Sequence, residues 1–495
     1  MTRRKKRAWF AQVRANRMRW NARPSPDRAM LFRTCAALLV IFTVLAFAQT
    51  QDEPKQVLRD ARQRVLDTVE RLPKYVCTET ITRYRYAPDA DQNGVHGKPQ
   101  RHSCDDVVAE VHSAQWKQHL TSSDRLRFDV AVNRDPSAVD GEMYSWVGAG
   151  RFSSRDVFEI VPDGAMSTGS FSSMLASIFS GPATRFSYNG DTIAGERMRC
   201  EFGFRVPKDQ SEYFYVFGRD RSSQARMAYN GTLLIDAESH DLVRLVVRSG
   251  TLPEESGACE LTRTVDYGRT RLHGADFFLP SSTRVSLIHT DETVAENVIT
   301  YSSCREFEGE STVRYERVPE TAPAAPRVTE PAQKLALPPG LPFTLVFTEG
   351  IDPAVAAAGD AIQAKLKTPI RTRSKIVVPA GTPVMGRIVS IRRYYPQPAS
   401  RTREGRKDNS QQPSLVLGVK LESVEIGGVA QPLKATLDVG LQRFVRITGS
   451  LSGRVDLGPL DRLEDSGTAV FEFWDANAGR PIESGLESNW RTLEP

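Results

Sequence analysis

Seven histidines, His96, His102, His112, His119, His240, His273 and His289, are the first place to look for chemistry. A zinc hydrolase needs two imidazoles one helical turn apart with a Glu beside the first, and no pair here has that spacing. There is no Gly-x-Ser-x-Gly elbow to expose a nucleophile and no glycine loop to cradle phosphate. His102-x-Cys104-Asp105 places imidazole, thiol and carboxylate together, but a cysteine in an oxidising compartment reads first as half of a disulfide. Neither a catalytic residue nor a metal ligand nor a cofactor site is nominated, and a non-enzymatic protein is expected.

Asp89-Ala-Asp91-Gln-Asn93-Gly94 alternates oxygen ligands as a calcium loop does, with Gly94 where such a loop turns sharply. Gln100 stands where the closing bidentate Glu belongs, and no flanking helices are evident. A hairpin tip with solvated carboxylates fits the same residues, so both readings stand.

The apolar block Thr34 to Ala48, closed by Ala46-Phe47-Ala48, reads as a secretory signal. Eleven Lys or Arg and one Asp precede it, +10 in all, so of the total +6 about −4 is left for everything after Arg33. The basic balance therefore belongs to the leader, and no nucleic-acid partner is implied. Translation from Met1 and from Met30 both fit, and so do a cleaved signal and a single-pass inner-membrane anchor over 30–48. Either way the rest of the chain is expected to be exported, in the periplasm or cell envelope, with membrane contact only through this segment. Five cysteines follow: Cys77, Cys104, Cys200, Cys259 and Cys304. None has zinc spacing, so disulfides are expected, as Cys259–Cys304 and Cys77–Cys104, with Cys200 left over.

These residues must be positioned by a mainly β architecture. Val57, Leu58, Ala61, Val65, Leu66, Val69 and Leu72 recur at helical spacing, and Pro73 ends the pattern. From Tyr75 onward short strand-like runs dominate, among them Asp106 to His112. The expected fold is a curved antiparallel half-barrel sheet with a packed N-terminal helix over 54–316. A Pro-rich linker follows over 317–340, where Val318 to Pro342 holds seven prolines and reads as a semi-rigid tether. A second small β-barrel or sandwich domain is expected over 341–495, with a disordered loop at 396–413 carrying Arg401, Arg403, Arg406 and Lys407.

A short helix near Phe171 to Phe179 interrupts the strands, with Phe171, Met174, Leu175, Ile178 and Phe179 on one face. It has two readings: it completes the core, or with Tyr144, Trp146 and Phe152 it lids an apolar cavity that takes a lipid acyl chain or an apolar peptide.

Gly231-Thr-Leu-Leu-Ile-Asp236 followed by Leu242-Val-Arg-Leu245, with Tyr267-Gly268 and Phe278-Leu-Pro280, resembles the periplasmic lipoprotein-carrier superfold of the LolA and RseB type. Thr168-Gly-Ser-Phe171, Leu252-Pro253 with Cys259, and Cys304-Arg-Glu-Phe-Glu-Gly-Glu-Ser311 look like a group of uncharacterised exported soil-bacterial proteins. The first likeness implies a half-barrel whose partner is a lipid or lipoprotein acyl chain. Leu337-Pro-Pro-Gly340, Gly359-Asp360, Val378-Pro-Ala-Gly-Thr382 and Val384-Met-Gly386 are similar to the TrbI-like β-barrel of conjugation and type IV secretion channels. That likeness implies a barrel, and contacts with other envelope proteins, without the membrane-crossing helix pair of the channel. An envelope scaffold or stress sensor acting only through protein contacts is the alternative function.

Overall fold

The computed structural model describes residues 53–89, 103–132, 142–149, 152, 157–161, 166, 173–218, 223–272, 274–306, 337–373, 375–395, 413–438, 445–446, 467–474 and 481–494. The signal or anchor segment, most of the Asp89–Gly94 turn, the bulk of the Pro-rich stretch and nearly all of the 396–413 loop lie outside them, as does Phe171.

Helix α1 (residues 53–71) forms where the heptad-like stripe predicts it, and it stops one residue before Leu72-Pro73. Pro73 has no N–H to donate and restricts the residue before it, so the helix cannot run on. Val57, Ala61 and Val65 are buried from this face, while Arg59 and Arg62 point away from it and are exposed.

Ten strands then make one antiparallel sheet. They are β1 (Tyr75–Pro88), β2 (Gln118–Val132), β3 (Glu142–Trp146), β4 (Arg185–Ala194) and β5 (Arg197–Val206), followed by β8 (Tyr229–Asp236), β9 (Leu242–Ser249), β10 (Ala258–Leu272), β11 (Ala275–His289) and β12 (Val294–Glu306). A small separate hairpin of β6 (Phe214–Phe217) and β7 (Ser223–Arg226) falls between β5 and β8. In space the order is β3–β2–β1–β12–β11–β10–β9–β8–β5–β4. Strands of 13 to 15 residues twist strongly over their length, and register shifts at Val76/Thr78, Arg85/Tyr86 and Asp266/Tyr267 bend them further. The sheet is thus curved, and one face wraps around a core.

Two apolar clusters fill that face. One joins α1 and α4 (Ser173–Ser180) to Phe202, Phe204, Leu233, Leu245 and Val265, and the other gathers Ile81, Phe128, Val130, Tyr144 and Ile299. A one-turn helix, α3 (Val157–Ile160), contributes Val157 to the second.

The run Asp106 to His112, expected as a strand, is instead helix α2 (Cys104–Val111). Ser103 accepts from the Asp106 N–H while the Asp106 carboxylate accepts from the Ser103 N–H, a capping box that satisfies two otherwise orphaned donors and overrides the β-branched pair Val107-Val108.

The disulfides use the four expected cysteines in the opposite pairing. Cys77 bonds Cys304 and Cys104 bonds Cys259. Strands β1 and β12 run side by side with Val76 opposite Arg305 and Thr78 opposite Ser302, which brings Cys77 and Cys304 together across 227 residues of sequence. Helix α2 lies on β10, so Cys104 meets Cys259. Proximity along the chain was the wrong guide, because sheet topology decides who is near whom. Cys200 is buried and takes no part in a disulfide.

The last region holds β13 (Pro342–Phe347), β14 (Ala361–Leu366), β15 (Ile370–Thr372), β16 (Lys375–Val378), β17 (Pro383–Tyr394), β18 (Ser414–Ile426), β19 (Val429–Pro432), β20 (Ala435–Leu437), β21 (Val445–Arg446), β22 (Thr468–Trp474) and β23 (Glu487–Thr492). The ladder β23–β13–β14–β17–β18–β22 is antiparallel. The chain from β19 into β20 pairs first with β18 and then with β23, so the strands wrap around a core of Phe343, Leu345, Phe347, Phe471 and Trp490.

This region is not held by its linker alone. Arg392, Arg393 and Tyr394 of β17 pair with Asp124, Ser123 and Ser122 of β2, and Leu126 forms a parallel bridge with Ala358. Side chains add to the seam. Arg127 meets Asp360 at 2.5 Å, and Arg392 joins the buried Arg83–Asp124 pair at 3.3 Å. Arg387 donates to the carbonyls of Val147 and Gly359.

Candidate functional site

A groove of about 550 Å³ runs between α1 and the sheet. Its apolar floor comes from Val65, Val69 and Leu72 on the α1 side, Leu175 of α4, and Leu242, Tyr267, Phe278 and Leu279 of β9 to β11. One helix about 10–12 Å across cannot cover so wide a sheet, which leaves a groove of mixed lining in which Val69, Leu72 and Phe278 are half-buried and the other apolar residues are buried.

The mouth is charged. Asp60, Arg64, Asp67 and Arg71 project from α1 at three- and four-residue spacing, and His240, Asp241, Arg269 and Asp276 face them from the sheet. Asp241 is the centre of this rim. Its side chain is 7% exposed and accepts from Arg64 of α1 at 3.2 Å and from Arg269 of β10 at 2.8 Å. Arg269 also lies over the Phe278 ring, 5.6 Å from its centre. His240 sits 3.7 Å from Asp60.

The Asp236–Asp241 turn sets this geometry. Burial of the Asp236 carboxylate opposes its ionisation, but hydrogen bonds from the Ser239 N–H, the Arg197 guanidinium and the Glu238 N–H outweigh that and hold the group below its ordinary range. His240 takes a left-handed conformation at φ 57° and its N–H bonds back to the Asp236 carbonyl, which turns Asp241 toward the mouth.

Of the eight residues nominated for a lid, Phe171 lies outside the described residues, and the other seven are divided between two apolar clusters and a half-buried Phe152. Leu175 alone of them lines the groove. Ile178 and Phe179 are fully buried against α1 and the sheet, and Met174 is half-buried with its sulfur 3.8 Å from Arg263. Tyr144 and Trp146 belong to the other cluster, where both pack on Phe128, Trp146 stacked at 4.7 Å and Tyr144 edge-on at 6.0 Å. Trp146 further meets the backbone of Gly359 in the last region. Phe152 is half-buried.

Behind α4 the interior is polar. Glu79, Glu142 and Arg263 are each buried, and the Tyr144 hydroxyl donates to Glu142 at 2.7 Å. Burial raises the Glu79 carboxyl well above its ordinary range, the charge of Glu142 adds to this, and Arg263 opposes it. Tyr75 and Tyr144 are likewise pushed up, first by burial and then by Glu142. Buried charge disfavours apolar occupants at that place, so the groove beside α1 is the better candidate site.

Sequence reading found the apolar stripe of α1 and missed the mouth. The signal was present in the Asp60, Arg64, Asp67 and Arg71 spacing, but Asp241 and Arg269 are linked to it only by the fold. Asp89 accepts from His119 at 3.0 Å, and the remaining nominated calcium ligands lie outside the described residues. Among the described residues no group of three or more His, Cys, Asp or Glu is placed to hold a metal ion, and no helix is long and apolar enough to cross a membrane.

No protein-family model and no curated protein matches the chain. Among solved structures it is similar to a DUF1329 family protein from Desulfovibrio piger, at 10% identity and a TM-score of 0.26, covering 53% of this chain and 98% of that one. It is also similar to a LolA superfamily protein from Nitrosomonas europaea, at 10% identity and a TM-score of 0.21, covering 50% of this chain and 93% of that one. At these scores neither likeness carries an argument, and the reading of the site rests on its own geometry.

Proposed function

We propose that the chain is a non-enzymatic exported cell-envelope protein that holds a lipid acyl chain or an apolar peptide segment in the groove beside α1. The observation that supports this is the groove between α1 and the sheet, where Val69, Leu72 and Phe278 are half-buried among charged residues. Each methylene buried there contributes about 0.8 kcal/mol. Two disulfides fit an oxidising compartment. The resemblance of residues 341–495 to the TrbI-like barrel rests on sequence motifs alone, and contacts with other envelope proteins through that region are part of the same proposal.

The rival, a scaffold acting only through protein contacts, is favoured by the filled interior under α4. Native mass spectrometry of the Gln49–Pro495 protein after mild extraction separates the two. Co-purifying acyl lipid is expected, and Thr68→Trp, which puts an indole into the groove from a half-buried position, expels it. A clean apo mass together with no binding of a fluorescent palmitate analogue refutes the carrier reading.

A further inference from the structure

Independently of the groove, we infer that the β15–β16 hairpin of the last region docks on an anionic lipid surface. Between Asp360 and Glu404 the chain holds no Asp or Glu, while Lys365, Lys367, Arg371, Arg373 and Lys375 fall within eleven residues. Elsewhere in this acid-free stretch the cations are matched by distant carboxylates, Arg387 by Glu422 and Arg392 by Asp124. Lys367 likewise meets Glu487. The hairpin differs. Arg371, Arg373 and Lys375 are exposed, and among the described residues no carboxylate lies within ion-pair distance of any of them. Three uncompensated cations on one short hairpin call for an anionic partner.

The hairpin is anchored at its base and solvated at its tip. Ile370 and Val378 face each other across the ladder, both fully buried in the core of the last region. Beyond them Arg371 stands opposite Ile376 and Thr372 opposite Lys375, and Arg373 turns the chain at φ 53°. Residues directly opposite in an antiparallel pair share a face, so a guanidinium and an isoleucine project from the same side. Ile376 is 46% exposed there, with Lys375 beside it in the chain. This combination fits the boundary between lipid headgroups and acyl chains. The isoleucine enters the apolar layer, and the Arg and Lys stems lie along it while their charged ends reach the phosphates. An acidic protein or a soluble polyanion would use the charges and leave Ile376 in water. The buried base holds the tip in place, so docking orders few further residues.

The test is flotation of the Gln49–Pro495 protein, which contains every described element, with vesicles of phosphatidylcholine alone or mixed with phosphatidylglycerol. Binding is expected to the mixed vesicles only, and it is expected to weaken at high salt. Each Lys or Arg near an anionic surface raises partition about fivefold. The triple variant Arg371→Gln, Arg373→Gln, Lys375→Gln is therefore expected to bind about a hundredfold more weakly. Ile376→Ser, which keeps every charge, also weakens binding to the mixed vesicles. Thr68→Trp, in the groove, leaves this binding unchanged, so its outcome is separate from that of the carrier reading. Equal flotation of the parent with both vesicles, a result that needs no variant, overturns the inference, and so does equal binding by the parent and the triple variant. Full binding by Ile376→Ser, together with displacement from the vesicles by soluble polyglutamate, assigns the hairpin to an acidic polymer and overturns it as well.

Discussion

Leu126 of β2 and Ala358 of the last region are parallel backbone partners: the Arg127 N–H donates to the Ala358 carbonyl at 2.7 Å, and the Ala358 N–H to the Arg125 carbonyl at 2.8 Å. Beyond β3, the edge of β2 would otherwise offer unpaired N–H and C=O groups, which sheets ordinarily cover or blunt. Here the chain covers its own edge. Ala358 is fully buried and belongs to the same apolar cluster as Phe128 and Ile81.

Gly359 makes this contact sterically feasible. Its φ is +107°, and a Cβ there would lie 2.1 Å from the Arg127 carbonyl oxygen and 2.8 Å from the Trp146 ring. Gly359→Ala should therefore cost about 2–3 kcal/mol from backbone strain and the forced separation. Thermal unfolding monitored by circular dichroism checks this. An unchanged midpoint would show that the seam does not hold the last region.

Phe179 is fully buried, with its ring 6.1 Å from that of Phe186. A core role predicts that Phe179→Ala loses about 3–5 kcal/mol. A mobile lid would tolerate the same change with little loss of stability, so urea denaturation distinguishes them.

Glu79 gives a pH signature. Its folded-state carboxyl lies well above the unfolded value of about 4.3. The native state then binds the extra proton, so this contribution is full below the unfolded pKa and is lost as pH rises toward the folded one, at about 1.4 kcal/mol per unit of separation. Glu79→Gln should remove that decline and gain stability relative to the parent at pH 8 compared with pH 5, as read from denaturant midpoints.

Asp236 has the opposite sign. Its folded pKa is lowered, so its contribution is present above the unfolded value of about 3.9 and is lost as pH falls through the folded one. Asp236→Ala should cost about 1–2 kcal/mol at neutral pH, less in strong acid.

Non-reducing peptide mapping should recover Cys77 with Cys304 and Cys104 with Cys259. Replacing Cys77 and Cys304 by Ala should cost about 2–5 kcal/mol. Cys200, at 4% exposure, should react with a thiol reagent only after denaturation.

Local signals in the chain were enough for the helix of Val57 to Leu72, for most of the alternating strands, and for which four cysteines pair. Each of these depends on neighbours a few residues away, or on composition, and can be read without a fold. Asn230-Gly231, a dipeptide that favours a turn, instead lies inside β8. Even locally, α2 shows a limit: two adjacent valines suggest a strand, and only the reciprocal Ser103–Asp106 bonds decide for a helix.

Tertiary structure alone decided the rest. Whether Leu175 faces a groove while Phe179 fills the core depends on where α1 crosses the sheet. Which cysteines meet depends on β1 lying beside β12. Asp241 gains its meaning from Arg64, 177 residues earlier in the chain, and from Arg269 on a neighbouring strand. A buried carboxylate between two cations is a property of three segments at once, and no periodicity along one of them encodes it.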